Sequence, residues 1–304
     1  MCQPNVYLSF KMDTNEALEV VDFFCGVGGF SSGAMLAGAK PIMGADNNDK
    51  MVRLWGANTN GKCVLAELWT ESVKSRWPVS KANMHVHLSP PCPLLSSARR
   101  GLPHNPAGIN MLQETLQFAI DQKYTSWSLE TVSTPEVREL VDRMSADSQG
   151  AIASVTVDAA DYNTPSNRLR LIVGNTRMIH NLREIPVSRI SVSEAFQQAG
   201  MEIPASYIKN NTTNKHGNAC PRSIEGTAHT QTASHPLMWC TRDGQTIRCL
   251  TVPETAVIMG FPKSWLLPNG SRDGIRAVGN AVPPPLARAI INSAQLAIQE
   301  GINS

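Results

Sequence analysis

Asp22–Gly33 reads DFFCGVGGFSSG and overlaps the end of an apolar run, Leu18–Phe24 (LEVVDFF). A short apolar run reads as a buried strand, the glycines as a tight turn, and Ser31–Ala39 as the helix that follows. Gly26, Gly28 and Gly29 let the backbone approach a ligand closely, and a helix N-terminus offers free N–H donors. Asp46 closes the next strand candidate, Pro41–Ala45, where a carboxylate can accept both hydroxyls of a ribose. Taken alone, the turn also fits a bare strand-to-helix connection. A dinucleotide oxidoreductase is disfavoured, because the spacing is G-x-G-G and not G-x-G-x-x-G. Phe24 is placed either to stack on an adenine or to pack in the core.

Outward from this turn the same alternation continues. Lys50–Ala57, Asn110–Asp121 and Glu136–Met144 have helical periodicity, and Met84–Leu88, Thr125–Leu129, Ile152–Asp158 and Leu169–Gly174 read as strands. Strands alternating with helices predict an α/β fold, a doubly wound and mostly parallel sheet. From Ile179 to Gln245 the chain is rich in Asn, Thr, Ser, His and Pro, and periodicity returns at Pro253–Met259 and Leu286–Gln299. This predicts a large domain from 16–176 plus 246–304, interrupted by a small irregular domain over 177–245.

The chain has 304 residues, 42% hydrophobic and 17% charged, which suits a buried core and argues against disorder. With 27 basic against 25 acidic residues the net charge is +2, so any phosphate-binding surface must come from local clustering. Seven cysteines without a CxxC pair read as reduced, intracellular chemistry. No signal peptide and no membrane-length apolar stretch is legible, so a cytoplasmic protein is expected. His216, Cys220, His229, His235 and Cys240 fit no standard zinc spacing, and no metal is expected.

Ser89–Ser97 reads SPPCPLLSS, directly after a strand. Its prolines stiffen the loop that carries Cys92, at the sheet edge where ligands bind in such folds. A buried structural cysteine is the competing reading. Glu130 (in LETV) follows another strand, and Arg168 and Arg170 (in NRLR) alternate with apolar residues at the start of a third.

In this order and context the pieces resemble the cytosine-C5 DNA methyltransferase family. DFFCGVGGFSSG looks like the motif that cradles S-adenosyl-L-methionine (SAM), SPPCP like the nucleophile loop, and LETV like the Glu-Asn-Val segment. DYNTPSNRLRLIVG looks like the Gln-x-Arg-x-Arg segment. RCLTVPETAVIMGFPKSW (Arg248–Trp265) and AVGNAVPPPLARAI (Ala277–Ile290) look like the ninth and tenth motifs. The resemblance implies a Rossmann-like SAM-dependent methyltransferase fold whose small domain recognises the target in double-stranded DNA. It implies Cys92 as covalent nucleophile, Glu130 as the holder of the base, and Arg168, with Arg170 beside it, at the base carbonyl. For SAM, and its product S-adenosyl-L-homocysteine, it implies Phe24, Gly26, Gly28, Gly29, Asp46, Asn47, Glu67, Leu68, Pro90, Asn280 and Ala281. Ser96, Arg99, Arg100, Arg222 and Arg242 are the implied DNA contacts, with Arg183, Arg189, Lys209 and Lys215 as further candidates. A monomer without an obligate protein partner is expected, of the kind found in restriction–modification.

Three positions depart from the family pattern: Pro93 for Gln, Thr131 for Asn and Ser166 for Gln. They leave two other readings open. One is a tRNA cytosine-C5 methyltransferase on the same fold; the other is a relative that binds SAM or DNA without catalysis.

Overall fold

The computed structural model describes residues 16–67, 77–78, 80–91, 106–210 and 220–302. Seven strands form one sheet: β1 (Glu19–Phe23), β2 (Lys40–Asp46), β3 (Lys62–Leu65), β4 (Met84–Leu88), β5 (Ser126–Thr131), β6 (Ile152–Asp158) and β7 (Leu169–Asn175). Their spatial order is β3-β2-β1-β4-β5-β7-β6. The pairings β1–β2, β1–β4, β2–β3 and β4–β5 are parallel, while β7 runs antiparallel to both neighbours. The doubly wound α/β sheet is therefore as expected, with one strand reversed.

The apolar runs are buried on both faces, as a covered parallel sheet requires. One face carries Val21, Phe23, Val86, Leu88, Trp127 and Leu129 and packs on helices α3 (Pro106–Asp121) and α4 (Pro135–Asp147) through Leu112, Leu116, Leu140 and Val141. The other carries Val20 and Ile172 and packs on α1 (Gly29–Leu36), α5 (Thr176–Glu184) and the last helix, α9 (Pro284–Ile302). Phe30, Leu286, Ile290 and Ile291 are buried there. Each such side chain contributes about 1.5–3 kcal/mol on burial. Helix α2 (Asp49–Thr59) starts at Asn48, whose side chain accepts from Met51 N at 3.3 Å.

The second face also buries a polar row. Asp22 on β1 is in register with His87 on β4, and His87 with Ser128 on β5. His85 bonds Ser126 Oγ and Ser128 Oγ, each at 2.8 Å, and His87 Nδ1 lies 2.8 Å from Ser128 Oγ. The Phe30 ring stacks on His87 with centroids 3.5 Å apart. Burial drives the His85 imidazole down to about 3 and His87 well below its ordinary value, so both are neutral.

Within the segment expected to be irregular, the described residues form regular elements. Helix α5 packs against β6, β7 and α9 and so lies with the large domain. A four-stranded sheet follows, in the order β11-β10-β8-β9, from β8 (Tyr207–Lys209), β9 (Arg222–Ser223), β10 (Met238–Cys240) and β11 (Thr246–Cys249). It runs past Gln245 to Cys249, because β11 is the return strand of the β10 hairpin. Helix α6 (Val192–Gln198) begins with a Ser191–Glu194 capping box and brings Phe196 edge-on to Trp239 in a core of its own. Helices α7 (Val252–Ile258) and α8 (Ser271–Asn280) lead back to the large domain. Among the described residues no helix is long and apolar enough to cross a membrane.

Candidate active site

The glycine turn opens at the C-terminal edge of β1. Cys25 N donates to Ala45 O at 3.1 Å, which bends the chain toward β2 and holds Phe24 at φ 58°. That left-handed geometry is uncommon for a phenylalanine and is the kind of local strain that gathers at functional sites. Gly28 has φ 90° and lies between the Trp55 and Trp265 rings, where a side chain would not fit. Trp265 donates its indole N–H to Val27 O at 2.9 Å, so the ninth motif buttresses the turn. A Cβ on Gly26, by contrast, would meet only open space.

Asp46 ends β2 beside this turn. Its Oδ2 accepts from Gly26 N at 3.0 Å and its Oδ1 from Asn48 N at 2.9 Å. The carboxylate thus shapes the turn, and each oxygen keeps a lone pair for a further donor. Asn47 is exposed next to it, and Glu67 is exposed just past β3, where Ala66 N bonds Asp46 O. Behind the turn, Trp55 Nε1 donates to Ser31 Oγ at 2.8 Å, and Ser31 Oγ donates to Asp22 Oδ2 at 2.6 Å. Burial pushes the Asp22 carboxyl up to about 7.

Ser89 follows β4, its N donating to Phe23 O at 3.2 Å and its hydroxyl to Phe24 O at 3.3 Å. The loop therefore leaves the sheet beside Phe24, with Pro90 buried and Pro91 exposed. Cys92, Ser96, Arg99, Arg100, Leu68 and Lys215 lie outside the described residues.

Glu130 sits within β5, not after it, because the reversed β7 extends the pairing to Thr131↔Leu171. Glu130 is 5% exposed. Of the two arginines expected near the base, it is Arg170 that meets Glu130, its Nε 2.7 Å from Glu130 Oε1. Register gives the reason. Glu130 pairs with Ile172, so Arg170, two residues along β7, is its diagonal neighbour on the same face. The contact is ionic rather than a directed hydrogen bond, and Glu130 Oε1 has no hydrogen-bond partner among the described residues. Arg170 Nη1 is held on Leu169 O at 2.7 Å.

Arg168 lies before β7 and turns elsewhere, its Nη1 donating to Gly279 O at 3.1 Å and to Gln231 O at 3.3 Å. Ser166, fully buried, donates to Ile258 O at 3.1 Å and ties this segment to α7. Asn280 is exposed at the end of α8, and Ala281 N bonds Val278 O at 3.2 Å.

Several candidate DNA contacts are engaged internally. Arg222 Nη1 donates to Asn167 Oδ1 at 2.7 Å and to Ala228 O at 3.2 Å. Arg183 donates to Ser154 O, Arg189 pairs with Asp161, and Lys209 is buried with Nζ 2.6 Å from Gly244 O. Arg242 differs: it is exposed in the turn between β10 and β11. Sequence reasoning missed the support given by Trp55, Trp265 and Asn167. Trp265 and Asn167 lie in quoted motifs and Trp55 in none, but only packing shows what each of them supports.

Residues 174–295 match the family model described as C-5 cytosine-specific DNA methylase. Over 90% of its length the chain is 23% identical to the Type II methyltransferase M.HindV of Haemophilus influenzae, covering 97% of that protein. Its fold is similar to that of an E. coli prophage protein assigned as a DNA modification methyltransferase, with a TM-score of 0.68 and 15% identity over 93% of this chain and all of the other. It is also similar to the S. pombe Dnmt2 methyltransferase, with a TM-score of 0.63 and 15% identity over 94% and 100% of the two chains. These two likenesses concern the fold. Residues 174–295, which begin at the end of β7, thus carry the likeness to the C-5 cytosine-specific DNA methylase family.

Proposed function

We propose that the protein transfers a methyl group from SAM to C5 of a flipped-out cytosine in DNA, with Cys92 as covalent nucleophile. The observation that carries the reading is the buried pairing of Glu130 with Arg170 at the sheet edge where the glycine turn opens and the loop toward Cys92 departs. The turn fits the cofactor. Gly26 borders open space, Asp46 keeps acceptor capacity beside it, and Phe24 offers a half-buried ring. Phe24, Gly26, Asp46, Asn47, Glu67 and Asn280 would hold SAM, which when bound supplies an electrophilic methyl group.

Cytosine C5 is a weak nucleophile within an aromatic ring. The Cys92 thiolate forms a bond to C6, and the displaced ring electrons make C5 an enamine carbon able to take the methyl group. Glu130 accepts from the exocyclic amine of the base and, when protonated, donates to N3, which favours addition. An unfilled acceptor on a buried carboxylate suits such a partner. Arg170 orients Glu130 and offers N–H donors to the base carbonyl. After transfer, the C5 proton leaves to a base or water, its electron pair re-forms the C5–C6 double bond, and Cys92 departs as thiolate. The base is unreachable inside a duplex, which requires its extrusion.

The test is covalent trapping of the full chain with SAM and duplex DNA containing 5-fluorocytosine, where fluorine cannot leave as a proton does. A denaturant-stable complex that Cys92→Ala abolishes supports the reading. Trapping on tRNA alone would replace the substrate. SAM binding without trapping on either nucleic acid would point to a non-catalytic relative.

A further inference from the structure

Arg168 is 4% exposed, and its Nη1 donates to backbone carbonyls in two different parts of the fold. Gly279 belongs to the last turn of α8, immediately before Asn280. Carbonyls there lack an intrahelical partner, and a cation at a helix C-terminus is electrostatically favoured. Gln231 belongs to the small domain. Its fully buried side chain donates to Thr232 O at 2.6 Å and to His235 O at 2.9 Å, and accepts from Leu237 N at 3.2 Å. The 231–237 loop is thereby fixed in shape, and the Gln231 carbonyl becomes a defined anchor. Gly279 presses on the same loop, and a Cβ there would collide with the Thr232 carbonyl. Arg168 is itself rigidly based: its N–H donates to Asp158 Oδ1 at 2.7 Å, and Asn167 Nδ2 donates to Asp158 Oδ2 at 2.7 Å.

We propose that Arg168 is a positioning residue that clamps the Asn280 turn to the small domain, so that the cofactor side of the site is complete only when that domain is seated. The proposal rests on the reading that the chain binds SAM. It gives the two arginines of NRLR separate tasks: Arg170 faces the substrate base, and Arg168 sets Asn280.

The test compares Arg168→Met, Arg168→Lys and Arg170→Met in the full chain. SAM affinity is measured by calorimetry, and hydrogen exchange of residues 278–283 is measured without SAM. Losing two charge-assisted bonds should raise the SAM Kd of Arg168→Met about tenfold. It should also speed exchange at 278–283, and Arg168→Lys should recover part of both. Arg170→Met should bind SAM as the parent does. Parent-like affinity and exchange in Arg168→Met would overturn the clamp. If that variant does not fold, Gly279→Ala loads the same seam from the other side and must weaken SAM binding and speed exchange at 278–283; unchanged values overturn the clamp equally. A parent protein that binds no SAM would fail the functional reading, and the exchange comparison would still decide the clamp.

Discussion

Arg170 Nε and Glu130 Oε1 lie 2.7 Å apart, on strands that run in opposite directions. Had β7 been parallel to β5, the register that makes them diagonal neighbours would not exist. Removing one partner of a buried pair strands the other charge and costs about 3–5 kcal/mol. Arg170→Met should therefore lower the unfolding midpoint in urea and reduce single-turnover methyl transfer by at least about a hundredfold. Arg170→Lys keeps the charge and should restore stability more than turnover. Equal recovery of both would mean that Arg170 serves only to neutralise Glu130.

Asp22 holds its proton in the folded chain up to about pH 7, against 3.8 ordinarily. Between those values the folded state binds more protons than the unfolded one, so the group subtracts stability as pH rises, by a constant amount above about 7. Asp22→Asn should leave the free energy of unfolding unchanged near pH 4 and raise it at pH 8, by on the order of a few kcal/mol. A difference independent of pH would show that burial does not hold the Asp22 proton.

Ser128 Oγ bridges His85 Nε2 and His87 Nδ1. Ser128→Ala leaves two buried ring nitrogens without that oxygen, at a cost of about 1–3 kcal/mol each. Chemical denaturation should show a stability loss in that range. A neutral result would mean that water replaces the hydroxyl.

Arg242 is exposed in a hairpin turn, whereas Arg222 is bound to Asn167 Oδ1 and Ala228 O. Arg242→Ala should weaken DNA binding and reduce the salt dependence by roughly one ion. Arg222→Ala should leave the salt slope intact and lower stability. The opposite pattern would move the DNA surface from the β10–β11 hairpin to β9.

Met84–Leu88, buried throughout, and Ile152–Asp158, an edge strand that buries Ile152 and Val157, were both legible to the residue. Strand β3 (KCVL) was not: it is a mostly exposed edge strand without an apolar pattern. The reversal of β7 was also hidden, since a buried strand reads alike in either direction. The small domain looked irregular because its strands are two to four residues long, too short to show period two. Motif spacing brought Glu130 and the NRLR arginines to one edge, but which arginine meets Glu130 depends on strand register, which no linear motif encodes.

Helix α9 lies against α1, and the α1 glycine Gly33 abuts the Pro284 carbonyl and the Ala287 side chain. The first helix after the glycine turn is thus finished by a helix that leaves the ribosome long after it. While the chain is being synthesised, the face of α1 around Gly33 lacks the cover of Pro284 and Ala287 until residues 284–302 emerge. A nascent chain can form the β1 turn early, yet cannot hold α1 on the sheet until translation of this segment ends. Docking of the first helix is thereby tied to synthesis of a segment far along the chain.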